Sequence, residues 1–401
     1  MLIVQKYGGT SVGDCDRIQN VANRVAETKK GGHGLVVVVS AMSGETDKLL
    51  GFTKHFSKLP NLRESDMVLS AGERVTSALL AIALEEMGFK AISLSGRGAG
   101  IITDSSHTKA RIESIDTTRL NELLGQDYII VVAGFQGVTK DGEVTTLGRG
   151  GSDLSAVALA GALQADLCEI YTDVDGVYTT DPRIEPKAKK IDKISYDEML
   201  ELASMGAKVL LNRSVEMAKK LSVNLVTRSS FNQNEGTLIT KEEEIMEHPI
   251  VSGIALDKNQ ARVSICNVED RPGIAAEIFS ALSEANINVD MIVQTIGRDG
   301  KTDIDFTIPE VELEATKRVL KAFEGSVESI DYDSDIAKVS IVGVGMKSHS
   351  GVASKAFGAL AADNINIMMI STSEIKVSMI IALKYAELAV RSLHATYELE
   401  K

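Results

Sequence analysis

The stretch Thr145–Asp153, TTLGRGGSD, carries the residue types that grip an anion. Glycines let a backbone come close to a ligand, and Arg149 offers a two-pronged fork for a carboxylate or phosphate. The run that follows, LSAVALAGAL, has the small residues of a helix. A helix starting at Ser152 or Asp153 would aim free N–H groups and its positive dipole end at the same anion. Taken alone, the motif also reads as a plain turn with an N-cap. Its company changes that. KYGGTS (6–11) sets a lysine just ahead of two glycines, SAGER (70–74) carries Glu73, and YTDVDGVYTTDPR (171–183) opens a polar loop after an apolar run.

These stretches must be positioned by regular elements. Leu2–Gln5 reads as a buried strand, with Lys6–Ser11 as the loop at its carboxyl end. Asp14–Lys30 has helical spacing of Ile18, Val21, Ala22 and Val25, Gly31-Gly32 stop it, and Leu35–Val39 is an apolar strand ending at Ser40. The order strand, loop, helix, strand predicts βαβ units in a mostly parallel sheet with helices on both faces. Ligands bind at the carboxyl ends of such strands. Lys6, Ser40, the Gly134–Gly137 turn after Tyr128–Ala133, and Thr172-Asp173 after Leu167–Tyr171 all fall on that rim. Glu64–Met87 predicts one long helix with Met67, Val68, Ala71, Val75, Leu79 and Ile82 on its apolar face; Gly72 inside it points to close approach of a neighbour or ligand. GRGAG (96–100) does not have GxGxxG spacing, and no GxxxxGK[ST] occurs, so neither a dinucleotide fingerprint nor a P-loop is indicated.

At 401 residues, two or three domains are expected. A net charge of −13 argues against a nucleic-acid or anionic-membrane surface, so positive charge at an anion site must be local. Cys15, Cys168 and Cys266 have neither zinc nor disulfide spacing and point to a reduced, cytoplasmic setting. No signal-peptide core is evident and no apolar run approaches ~20 residues, so no membrane partner is expected. A charged connector, KEEEIME (241–247), marks the domain boundary. Beyond it lies a repeat. ARVSI (261–265) matches AKVSI (337–341), and NINVDMI (286–292) matches NINIMMI (364–370), each NIN thirteen residues after Gly273 or Gly351. The pattern strand, loop, helix, strand, strand, twice, predicts two small α+β modules.

Taken together, KYGGTS, VVVVSAMSGETDKLL (36–50), SAGER, TTLGRGGSD and YTDVDGVYTTDPR closely resemble the aspartate kinases of the amino-acid kinase superfamily, and the repeat resembles their tandem ACT domains. The resemblance runs from about residue 1 to 400. It implies an amino-acid kinase domain over 1–245 and an ACT region over 250–401. The first copy would span about 261–335, and the second about 337–401 plus a strand from 250–256. It implies phosphorylation of the β-carboxylate of L-aspartate by ATP with Mg2+, the first step toward lysine, threonine and methionine. No residue is assigned directly to the metal.

The resemblance also assigns residues. Lys6, with Tyr7, Gly8 and Gly9, would meet the transferring phosphoryl, a step that needs positioning and charge neutralisation. Lys208, in Gly206-Ala207-Lys208, would be the second cation, and Asp153 would orient the lysines or the magnesium shell. Ser40, Thr172, Asp173, Tyr178, Asp181, Pro182 and Arg183 would serve the nucleotide. Arg149, with Gly150, Gly151 and Ser152, would take the α-carboxylate of aspartate, Glu73 its α-ammonium, and Thr46 and Asp47 further substrate contacts. In the first ACT copy, Asp270, Pro272, Gly273, Ile274 and Ala275 form the ligand loop, with Asp270 or Asp290 on the ligand's ammonium and Asn288 and Gln294 nearby. The second copy lacks DRPG and offers Ser371, Thr372, Ser373 and Glu374. Lysine and/or threonine are the implied effectors. A homo-oligomer through the ACT domains is implied, and an internal start near Met246 would give a separate regulatory subunit. Two rival readings stand: a kinase of glutamate, acetylglutamate or UMP, and a catalytically inactive amino-acid sensor.

Overall fold

Strands Gly34–Val39 and Ile129–Ala133 are almost pure valine and isoleucine, the composition of strands covered on both faces. They lie side by side in an eight-stranded sheet. Its order is Lys193–Ser195, Thr237–Thr240, Leu225–Ser229, Leu167–Thr172, Leu2–Tyr7, Gly34–Val39, Ile129–Ala133 and Ala91–Leu94. Every pair in it is parallel except Leu225–Ser229 with Thr237–Thr240. Helices Cys15–Lys30 and Ala71–Glu86 cover one face with a core of Val21, Val25, Leu80 and Leu84 against Ile3, Val37 and Val131. Helix Gly151–Ala162 packs against Leu2–Tyr7, Gly34–Val39 and Leu167–Thr172, and also against helix Asn212–Leu221. Layers on both sides explain its small residues: Gly151 through Ala160 are all buried.

The computed structural model describes residues 1–204, 210–245, 249–295 and 300–401, which divide into two compact units. The first contains the large sheet and comprises Met1–Val177, Lys190–Ser204 and residues 210–245; the second comprises Tyr178–Lys189 and the described chain from 249 on. A second small sheet in the first unit runs Ile112–Ile115, Ile101–Thr103, Gln136–Val138, Val144–Thr146, so part of the expected Gly134–Gly137 turn is strand.

The single helix expected over 64–87 is two, Leu62–Leu69 and Ala71–Glu86. At the break, the Ser70 carbonyl accepts from Gln136 Nε2 at 2.9 Å. The expected apolar face is also rotated. Met67, Val75 and Ile82 are exposed, whereas Asp66, Gly72, Glu73, Thr76 and Leu80 face inward. The predicted reason for Gly72 holds in its neighbour form, since a Cβ there would sit 2.7 Å from the Ala41 Cβ. By length and composition Leu62–Glu86 is apolar enough to cross a membrane, but half of it is buried in the unit, as in a core helix. The connector at 241–247 contributes a 3-10 turn, Glu242–Glu244.

The second unit holds two four-stranded antiparallel sheets. One runs Ile292–Thr295, Lys301–Pro309, Gln260–Glu269, Ser329–Asp333; the other runs Gly253–Asp257, Ile336–Val342, Lys376–Ala382, Ile367–Thr372. Gly253–Asp257, which precedes the first module in sequence, therefore completes the sheet of the second. Each repeat also has a helix beyond the predicted pattern, Leu313–Leu320 and Ala386–Thr396. Gly273 and Gly351 start equivalent helices with φ of 98° and 90°, and Asn286 and Asn364 end them with φ of 57° and 56°. Met291, Ile336, Met369 and Ile380 form a shared cluster where the modules meet.

One segment departs from chain order. Residues Tyr178–Lys189, expected within the first 245, belong by their contacts to the second unit. The Thr179 carbonyl accepts from Ile254 N at 2.7 Å, its Oγ1 lies 3.0 Å from the buried His394 Nε2, and Ile184 packs on the second module's core.

Candidate active site

Four neighbouring strands end level, because Tyr7 is in register with both Val39 and Tyr171, and Val39 with Ala133. The ladder continues one residue further: Gly8 N donates to Tyr171 O at 3.2 Å, Ser40 N to Tyr7 O at 3.1 Å and Gly134 N to Val39 O at 3.0 Å. Lys6, Ser40, Gly134 and Thr172 thus sit together on one rim, as the sequence predicts. Lys6 and Tyr7 are themselves strand residues, which settles where each points. Side chains alternate along a strand. Lys6 goes to the face of helix Gly151–Ala162, where its Nζ meets Asp153 Oδ1 at 2.5 Å, with both side chains nearly buried. Tyr7 goes to the other face, fully buried and stacked on Tyr171 with centroids 4.6 Å apart. Burial pushes its phenol well up, and of this nucleotide-side candidate only the main chain reaches the rim. The Gly8 N–H is already donated to Tyr171, so Gly9 is the better placed of the two glycines for an anion.

The helix at the centre of TTLGRGGSD begins at Gly151, with Gly150 as its cap; neither Ser152 nor Asp153 caps it, because Gly150 takes that position at φ 69°. Gly148 is left-handed as well, at φ 79°. Glycine is forced at Gly150 twice over, since a Cβ would also fall 1.5 Å from Leu211 Cδ1. Asp153 follows in the first turn, a favourable place for a carboxylate beside the dipole's positive end. Its Oδ1 is buried against the Lys6 ammonium. Arg149 stands exposed between the two left-handed glycines.

Glu73 lies in the first turn of Ala71–Glu86. Its Oε1 accepts from Ala41 N at 3.1 Å, while Oε2 is buried without a partner. Burial pushes this carboxyl up to about 7. The adjacent Arg74 does not pair with it; Arg74 bonds Gln136 and Ser70. Thr46, half-buried, and Asp47, exposed, open helix Glu45–Phe56, which follows the strand ending at Val39. Thr172 Oγ1 donates to the exposed Asp173 at 3.1 Å. Lys208 lies outside the described residues, as does Met246.

Tyr178, Asp181, Pro182 and Arg183 belong to the second unit. There Asp181 is engaged by its own neighbour, with Arg183 Nη2 at 2.7 Å, and this holds its carboxyl below the usual range. In the first module, Asp270, Pro272 and Gly273 form an exposed loop leading into helix Ile274–Glu284, as expected. Ile274 is buried and Ala275 half-buried. Asp290 is ion-paired with the buried Lys338 of the second module, so of the two candidate ammonium partners Asp270 is the uncommitted one. Asn288 and Gln294 are exposed, and Asn288 N donates to Glu312. Ser371 and Thr372 end a strand, while Ser373 and Glu374 form its hairpin turn.

Sequence reasoning missed a polar cluster behind the turn. Asp66, fully buried, accepts from Thr146 Oγ1 at 2.5 Å and Thr108 N at 3.0 Å, and lies 2.8 Å from His107 Nδ1. The available signal was a seven-residue step, because Asp66 and Glu73 share the helical face that the apolar count had turned outward.

Residues 1–227 match the amino acid kinase family, and residues 262–325 and 339–397 each match the ACT domain. An aspartokinase of Helicobacter pylori strain J99 is 72% identical over 405 residues, covering 100% of both chains. Two crystal structures of E. coli aspartokinase III, each 26% identical and covering 99% of both chains, superpose well. The complex with aspartate and ADP in the R-state gives a TM-score of 0.83, and the complex with lysine and aspartate in the T-state gives 0.78. The chain therefore belongs to the amino acid kinase family and, within it, to the aspartokinases that carry ACT domains.

Proposed function

We propose that this aspartokinase transfers the γ-phosphoryl of ATP to the β-carboxylate of L-aspartate, giving 4-phospho-L-aspartate for lysine, threonine and methionine synthesis. The observation that carries the reading is the buried Lys6–Asp153 pair at the carboxyl end of the sheet. Phosphoryl transfer between two anions needs fixed positive charge more than covalent help. Lys6 supplies it beside the transferring group, and Asp153 holds the ammonium in place. Gly9 offers a main-chain N–H; Ser40, Thr172 and Asp173 line the nucleotide side. Arg149, with the main chain of Gly150, Gly151 and Ser152, takes the α-carboxylate of aspartate, and Thr46 and Asp47 add contacts. Glu73 takes the α-ammonium, for which its unpartnered Oε2 is suited. Lys208 remains assigned to the nucleotide by motif.

Among the described residues no group of three acidic, His or Cys side chains could hold a metal by itself. Mg2+ would be carried by the nucleotide phosphates, with the Asp153 carboxylate beside its shell. When bound, it neutralises charge on those phosphates. Lysine and/or threonine binding to the ACT modules regulates the reaction, supported by the likeness to the lysine complex of the E. coli enzyme. Asp270 and the Gly273 helix start grip the effector, with Gln294 and Asn288 beside it; Ser371–Glu374 offer the corresponding surface in the second copy. The ACT modules also support a homo-oligomer.

The test is a substrate panel with MgATP, trapping the acyl phosphate as a hydroxamate. Aspartate should be the substrate turned over, and turnover of glutamate but not aspartate would reject the reading. Titrating activity with lysine and threonine, singly and together, identifies the effector.

A further inference from the structure

The turn that carries Arg149 is clamped twice at its base by side chains from other elements. On one side stands Asp66, held at Thr146 Oγ1 and at the loop residues His107 and Thr108. On the other side Arg213, from helix Asn212–Leu221, donates through Nη1 to the Leu147 carbonyl at 2.7 Å and through Nη2 to the Ala110 carbonyl at 3.1 Å. Those two carbonyls belong to adjoining strands of chain, because Ala110 N also donates to Thr146 O at 3.0 Å. Beyond the clamps, Arg149 is exposed between left-handed Gly148 and Gly150. An arginine on a two-glycine hinge has little order of its own, so its orientation depends on what fixes the residues before it.

We propose that Arg213 and Asp66 are positioning residues that set Arg149 for the α-carboxylate of the amino-acid substrate. This rests on the reading of Arg149 given above. Neither residue touches the substrate. Together they hold Thr146 and Leu147, so the guanidinium leaves the turn at a fixed point and its ordering is complete before aspartate arrives. Lys6 is held separately, on a central strand, so the nucleotide side should not feel the loss.

The test uses the full-length enzyme and four variants. Arg149→Ala sets the reference and should raise the aspartate KM strongly. Arg213→Gln should raise it about tenfold, with kcat and the ATP KM changed less than about threefold. Arg213→Lys should recover part of the loss, because one ammonium can reach one carbonyl where the guanidinium reaches two. Arg213→Gln added to Arg149→Ala should have almost no further effect on the aspartate KM, as expected for a residue acting through another. Asp66→Asn is the second clamp. If burial of Asp66 makes that variant fail to fold, the exposed Arg213 series still decides the matter. An unchanged aspartate KM in Arg213→Gln, or full additivity in the double variant, overturns the inference. An unchanged aspartate KM in Arg149→Ala overturns the reading beneath it, and the two failures are told apart by that single variant.

Discussion

The two sides of the site are built differently. Lys6 and Asp153 are buried and held by the sheet and by the first turn of helix Gly151–Ala162. Arg149, Asp47 and Asp173 are exposed. Charges that must act on a transferring phosphoryl gain from a fixed, water-poor setting, because their field is then in place before the reaction begins. Charges that capture a substrate from water do not need that burial, and desolvating them in advance would cost stability. The difference separates variants expected to act on kcat from those expected to act on KM.

Lys6→Ala should break the contrast most severely. It should lower kcat by about 10³-fold or more while leaving effector binding intact, as measured by steady-state kinetics and calorimetry with lysine or threonine. Activity within a few-fold of the parent would remove Lys6 from the mechanism. Arg149→Ala should come next, raising the aspartate KM about 30-fold with a smaller change in kcat. A kcat defect as large as that of Lys6→Ala would erase the distinction between the two sides.

Glu73 sharpens the comparison through pH. Its carboxyl lies near 7 in the fold against an ordinary 4.5, so the folded state binds the proton more tightly. Its contribution to stability is therefore greatest at low pH and is lost as pH rises through that window, by at most on the order of 3 kcal/mol. Glu73→Gln should remove this dependence, so its Tm relative to the parent should be higher at pH 8 than at pH 5. The ionised form is the one that grips an ammonium, so the parent's aspartate KM should fall severalfold between about pH 6 and 8, and the Gln variant's should not. Parallel pH profiles for the two proteins would exclude Glu73 as the ammonium partner. Asp173→Asn, on the exposed nucleotide side, should have the smallest effect, about two- to threefold on the ATP KM; a tenfold loss would place Asp173 among the fixed charges.

The rim of the site was legible because strand ends leave strong marks. The valine runs announce buried parallel strands, and a polar or glycine residue after each announces the ligand edge. Asp153 was readable as the carboxylate of GGSD. What escaped was rotation and direction. The apolar face counted over 64–87 pointed outward because the inward face serves polar groups, Asp66, Glu73 and Thr76, and periodicity cannot separate a polar face turned to solvent from one turned to a site. Tyr7 escaped because the strand runs two residues further than composition suggested, and alternation then sends its ring into the core. Asp66 with Thr146, and Arg213 with Leu147, are pairings across 80 and 66 residues of chain, which no local motif encodes.

The excursion Tyr178–Lys189 bears on how divisible the chain is. The residues flanking it, Val177 and Lys190, belong to the kinase unit, yet the segment supplies the second ACT module with Ile184 and with the Thr179 carbonyl that Ile254 needs. A regulatory piece beginning near residue 246 would lack this excursion. Such a fragment would carry an unfilled patch on its second module and an unanswered N–H on its first strand.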